Sequence, residues 1–137
     1  MPAKVLIVED ETLVAAHLED TLEDLGFIPI GVAPDKSAAL ELTKHRPDLA
    51  LVDVNLRDGA TGIEIGQALA RDHGVGVIFV TANPRQLGPG VPGTLGVLTK
   101  PCDEIAISAA LAFALQCRRG MPIPRPPELQ TFQGCCS

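Results

Sequence analysis

Residues 47–53 read Pro47-Asp48-Leu49-Ala50-Leu51-Val52-Asp53. A short apolar run stands between two acids. A half-buried strand alternates apolar and polar side chains. A run without that alternation, too short for a helix, fits a strand covered on both faces, as in a parallel sheet. Moving outward, Val5-Leu6-Ile7-Val8 has the same character and ends in Glu9-Asp10, and Val77-Ile78-Phe79-Val80 ends in Thr81. The weaker run from Thr94 to Thr99 leads into Lys100. Phe27 to Val32 completes the set; Pro29 within it cannot donate to a ladder, which places this strand at a sheet edge.

Helical stretches separate these runs. Glu11 to Leu25 carries Leu18, Leu22 and Leu25 on one face and stops at Gly26. Asp35 to His45 stops at Arg46-Pro47. Gly62 to Asp72 places Ile65 and Leu69 one turn apart, and Asp103 to Cys117 is rich in Ala and Leu. Strand and helix alternate, which predicts right-handed βαβ units and a doubly wound parallel sheet in an α/β fold. An edge-placed second strand favours five strands in the order 2-1-3-4-5. From Asn83 to Pro101 Gly and Pro recur too often for a long helix, so the fourth helix is expected to be short or irregular.

The chain has 137 residues, enough for one domain. Hydrophobic residues at 46% and charged residues at 20% match a globular balance and exclude wholesale disorder. With 11 basic and 17 acidic residues the net charge is −6, which argues against nucleic-acid phosphates and anionic membrane surfaces as partners. No apolar run is long enough to span a bilayer, and the start lacks a cleavable signal pattern, so the expected location is cytoplasmic. None of the four cysteines, Cys102, Cys117, Cys135 and Cys136, forms a C-x-x-C pair; they are expected to be reduced bystanders. His17, His45 and His73 show no ligand spacing.

In a parallel sheet the residues closing the strands meet at one rim. Here those are Glu9, Asp10, Asp53, Thr81 and Lys100. Two like charges 4 Å apart repel by about 4 kcal/mol at an effective dielectric of about 20. One lysine does not offset three carboxylates. Either one acid keeps its proton, or a divalent cation sits among them; hard oxygen ligands suit Mg2+. Asp53 would then be placed as a nucleophile toward a phosphoryl group, with Thr81 and Lys100 stabilising its oxygens. Taken singly, each residue has a plainer reading: Glu9-Asp10 as helix-capping acids, Asp53 and Thr81 as loop residues, Lys100 as a solvated amine. Their joint placement at strand ends is what favours the chemical reading.

The set Val5-Leu6-Ile7-Val8-Glu9-Asp10-Glu11, Pro47-Asp48-Leu49-Ala50-Leu51-Val52-Asp53, Thr81-Ala82 and Lys100-Pro101 resembles the receiver domain of bacterial two-component response regulators. The resemblance implies a flavodoxin-like fold. It places a receiver domain at residues 1–117 and leaves 118–137 as a Pro-rich, flexible tail. It implies Asp53 as phosphoacceptor; Asp10, Asp53 and the backbone carbonyl of Asn55 as Mg2+ ligands, with Glu9 holding metal-bound water; Thr81 as the switch hydroxyl; Ala82 as the small residue beside it; Lys100 as the phosphoryl-pairing lysine; and a cis peptide before Pro101. The chain would be a stand-alone regulator and not an enzyme in the usual sense. A histidine kinase or histidine phosphotransfer protein would donate the phosphoryl group. Output would run through contact with a downstream protein, or through a homodimer formed on phosphorylation. Two departures stand out. Val97 occupies the position where many receivers carry an aromatic residue. Phe79-Val80-Thr81-Ala82 is similar to an atypical subgroup with a Phe-Ala-Thr-Gly-like motif, associated with general stress signalling. The rival readings are a phosphorylation-independent docking module and a small α/β phosphatase.

Overall fold

Each apolar run becomes a strand. The computed structural model describes residues 2–57, 59–120 and 124–132. In chain order the elements are β1 (Lys4–Val8), α1 (Thr12–Asp24), β2 (Ile28–Ala33), α2 (Lys36–Leu42), β3 (Leu49–Asp53), α3 (Thr61–His73), β4 (Gly76–Thr81), β5 (Gly96–Thr99), α4 (Glu104–Arg118) and β6 (Leu129–Thr131). The sheet order is β2-β1-β3-β4-β5-β6. The first five strands pair in parallel, and β6 joins β5 antiparallel.

Neighbouring residues along a strand point to opposite faces, and both faces here are apolar. Leu6, Val8, Ala50, Val52, Val77 and Phe79 pack with Ile65 and Leu69 of α3. Val5, Ile7, Leu49, Leu51, Ile78 and Val80 pack with Leu18 and Leu22 of α1 and Ile107 and Leu111 of α4. This double coverage is why the central strands show no polar alternation. Asp35 and Asp103 cap α2 and α4, accepting from the backbone N–H of Ala38 at 2.9 Å and of Ala106 at 2.8 Å. Pro29 lies in edge strand β2, where the register jumps from Val5↔Pro29 to Leu6↔Gly31. The ladder slips at the residue that has no N–H to give.

Between β4 and β5 there is no α-helix. A 3-10 turn at Pro84–Leu87 stands in its place. Gly90 follows with a φ of +122°, and a Cβ there would lie 2.7 Å from the Phe132 ring. Both conformation and space exclude a side chain.

The sixth strand corrects the expected five, and lies in the segment read as a flexible tail. Its pairs are Gly96↔Thr131, Val97↔Gln130 and Leu98↔Leu129, and the Phe132 N–H donates to Leu95 O at 3.1 Å. Leu129 and Phe132 are three residues apart and enter opposite faces of the sheet: Leu129 joins the α1/α4 side, Phe132 the α3 side. The Phe132 ring sits 6.4 Å from that of Phe79. It fills space that a helix after β4 would otherwise cover, and β6 closes the open edge of β5. Three residues are too few to register as an apolar pattern, and the prolines before them hid the strand. Cys102 is a free thiol. Cys117 is disulfide-bonded, which corrects the expectation that all four cysteines are reduced. Cys135, Cys136 and Pro122 lie outside the described residues.

Phe132→Ala is expected to lower folding stability by about 3 kcal/mol, the low end for a buried phenylalanine. Urea denaturation followed by circular dichroism checks this; a change below about 0.5 kcal/mol, typical of surface positions, would show that β6 is not part of the cooperative fold.

Candidate functional site

The site is built by register. Val8 pairs with Val52, Asp53 with Val80, and Thr81 with Thr99. The residues that follow these pairs emerge at one level on the carboxyl rim. Two further bonds extend the alignment past the strands: Val54 N–H to Val80 O at 3.2 Å, and Lys100 N–H to Thr81 O at 2.8 Å. At the start of α3, Gly62 lies so close to this rim that a Cβ would fall 1.9 Å from the Asp53 carbonyl oxygen. A side chain there would push the helix off the end of β3.

Glu9, Asp10 and Asp53 bring carboxylate oxygens within 4.8 Å of one another. Glu9 is 2% exposed and Asp53 8%. Lys100 reaches in from β5, its Nζ 2.8 Å from Asp53 Oδ2 and 3.2 Å from Glu9 Oε1. The other Glu9 oxygen accepts from the backbone N–H of Asp10 at 3.1 Å and of Glu11 at 3.2 Å. Asp53 Oδ1 accepts from the Asn55 N–H at 3.0 Å. Asp10 has a weaker partner, the exposed Arg57, at 4.0 Å.

Burial pushes the Glu9 carboxyl above the ordinary glutamate range, and the Asp53 charge adds to this against the lowering pull of the Glu11 N–H and Lys100. For Lys100, burial works against the charged form, yet the hydrogen bond and charge of Asp53, with those of Glu9, outweigh it and hold the ammonium above the ordinary lysine value. Three carboxylates thus share one close ammonium, with the exposed Arg57 guanidinium at 4.0 Å from Asp10. Three hard oxygen donors in so small a span, open to solvent on the Asp10 side, fit a small divalent cation that retains several waters.

Thr81 is 1% exposed. Its hydroxyl donates to Gln86 Oε1 at 3.0 Å and accepts from the Asn83 N–H at 3.1 Å. The Asn55 amide lies 3.4 Å from the same hydroxyl. Ala82 beside it is exposed, and the Lys100–Pro101 peptide is cis. Glu9, Asp10, Asp53 and Lys100 are thus brought into one cluster, with Asn55 and Thr81 at its margin. His17, His45 and His73 are all exposed and take no part. The residue that sequence reasoning missed is Gln86. It lies in the Gly/Pro-rich stretch, where no pattern distinguishes one polar residue from another.

The family model described as the response regulator receiver domain matches residues 5–112. The phyllosphere-induced regulator PhyR of Methylorubrum extorquens is 36% identical over 118 residues, covering 84% of this chain and 44% of that protein. Among solved structures, the receiver domain of Erythrobacter litoralis PhyR is 34% identical with a TM-score of 0.74, over 83% of this chain and 90% of that one. The anti-anti-sigma factor PhyR from Bartonella quintana is 29% identical with a TM-score of 0.75, over 87% of this chain and 49% of that one. This chain spans about half the length of the full PhyR proteins it matches.

Asp10→Asn is expected to raise the melting temperature of metal-free protein by several degrees, equivalent to about 1 kcal/mol of relieved repulsion. Lys100→Ala should lower it by a similar amount or more. Mg2+ should raise the melting temperature of the unsubstituted chain and largely fail to do so for Asp10→Asn. Melting in chelator and in millimolar Mg2+, followed by circular dichroism, tests all three signs.

Proposed function

We propose that this chain, which belongs to the response-regulator receiver domain family, is a phosphoacceptor switch that takes a phosphoryl group on Asp53 from a phosphohistidine donor. Receiver domains are signalling modules of two-component systems rather than enzymes acting on external substrates. The observation that carries the proposal is the cluster itself: a lysine 2.8 Å from Asp53, with two further carboxylates beside it.

A carboxylate oxygen of Asp53 attacks phosphorus; the P–N bond to the donor imidazole breaks, and the nitrogen leaves with the electron pair and takes a proton. The carboxylate becomes an acyl phosphate, and water later attacks phosphorus to restore it. Receiver domains bind Mg2+ at an acidic pocket, and here Asp10, Asp53 and the Asn55 carbonyl would hold it, with Glu9 on its waters. Bound there, Mg2+ would neutralise charge on the phosphoryl oxygens. Lys100 already lies between Asp53 and Glu9, so it reaches the transferred group while keeping Glu9 as a partner. The Thr81 hydroxyl turns to donate to a phosphoryl oxygen, and exposed Ala82 leaves it room. This movement carries the signal to the loop after β4 and to β5.

The surface around the pocket supports a helical donor. Leu13, 86% exposed at the start of α1, and Ile105, 70% exposed at the start of α4, stand near the acidic rim. Along α4, bounded on the α1 side by Leu25, runs a mainly apolar groove lined by Ile105, Ser108, Ala109 and Ala112, with Asp103 and Glu104 at the start of the helix. A histidine kinase or histidine phosphotransfer protein is the donor that fits. Downstream output passes through protein contact in this reading; a relative at 29% identity is described as an anti-anti-sigma factor. No helix among the described residues is long and apolar enough to cross a membrane; a cytoplasmic site of action belongs to the same proposal.

Incubation with acetyl phosphate and Mg2+ should add the mass of one phosphoryl group, and Asp53→Asn should abolish the adduct. No adduct on the unsubstituted chain would instead favour a docking module independent of phosphorylation.

A further inference from the structure

The Thr81 hydroxyl carries a single proton. In this structure that proton is directed at Gln86 Oε1, 3.0 Å away. Gln86 is itself fixed from two sides. Its carboxamide pairs with that of Asn55, donating from Nε2 to Asn55 Oδ1 at 2.9 Å and accepting from Asn55 Nδ2 at 2.8 Å. Its backbone belongs to the Pro84–Leu87 turn, where the Gln86 N–H donates to Asn83 O at 3.2 Å. The next residue, Leu87, is 5% exposed and packs in the cluster of Phe79, Val91, Val97 and Phe132. The carboxamide is therefore presented by an anchored turn, not by a free loop.

We infer that Gln86 is a latch that holds Thr81 in the unphosphorylated position and thereby sets how readily the pocket accepts a phosphoryl group. The inference rests on the phosphoacceptor reading. A hydroxyl that donates to Gln86 cannot at the same time donate to a group on Asp53, so the two states exclude each other. Each hydrogen bond that favours the first state reduces the fraction of molecules ready for the second, and apparent affinity for a phosphoryl mimic falls by that fraction. A glutamine suits the task because it accepts from Thr81 while donating to Asn55; an aliphatic residue would do neither. Among the described residues the Gln86 side chain bonds Asn55 and Thr81 and no carboxylate of the pocket, so it acts through Thr81 as a positioning residue.

The test uses beryllofluoride, a phosphoryl mimic, with Mg2+. The chain contains no Trp and no Tyr, so binding is read by calorimetry rather than by intrinsic fluorescence. Gln86→Ala should tighten beryllofluoride binding about threefold to tenfold, the range one or two net hydrogen bonds allow. Its affinity for Mg2+ alone should not change. Gln86→Glu, which keeps an acceptor for Thr81, should give no tightening. In a Thr81→Ala background, Gln86→Ala should have no further effect, because the group the latch acts on is gone. Unchanged or weaker binding by Gln86→Ala, tightening by Gln86→Glu, or an equal gain without Thr81 would each overturn the latch while leaving the phosphoacceptor reading intact. No beryllofluoride binding by the unsubstituted chain would overturn both.

Discussion

The Lys100 ammonium lies 2.8 Å from Asp53 and 3.2 Å from Glu9, two carboxylates that are almost wholly buried. The layout of the carboxyl rim is organised around that contact. Two buried acids side by side raise the energy of the fold unless a cation lies between them. One lysine faces both acids, and burial, with a smaller contribution from the Asp53 charge, raises the pKa of Glu9. Three carboxylate oxygens within 4.8 Å of one another fit a further positive charge. A site built for stability would have fewer acids; this one keeps them and carries the resulting strain.

The sheet is what makes that arrangement reproducible. Parallel pairing with aligned registers brings the ends of β1, β3, β4 and β5 to one level, and helices on both faces leave each central strand no freedom to slip. A shift of one residue would turn a whole apolar row outward. The pocket inherits its precision from apolar packing that takes no part in its chemistry. Gly62 expresses the same economy of space, since α3 approaches the Asp53 backbone too closely for any side chain.

The least regular part of the fold lies between β4 and β5. A 3-10 turn replaces a helix, and the cover it would have supplied comes from the far end of the chain, through Phe132. Val97, standing where many receivers carry an aromatic side chain, is buried at 1% in the same cluster. The aromatic rings of this cluster come from Phe79 in β4 and from Phe132, the residue after β6, and none from β5. The turn bearing Gln86 and Leu87 meets the Thr81 hydroxyl, and Leu87 shares its packing with Phe132.

Much of this was legible beforehand. Unbroken apolar runs marked strands buried on both faces, because only such strands can dispense with polar residues. Pro29 marked the edge, because a missing N–H is tolerated there. The acids, hydroxyl and amine at the strand ends marked the rim, because parallel strands share a direction. Three things were not legible. Strand β6 is shorter than any pattern that could announce it, and it exists because β5 offers an open edge. The partners of Thr81 depend on how a Gly- and Pro-rich loop folds back, which local propensity does not dictate. The division of Lys100 between Asp53 and Glu9 is decided by distances across three strands. Order and polarity along the chain are local properties and were carried by composition. Which donor meets which acceptor is a property of packing, and only the folded molecule settles it.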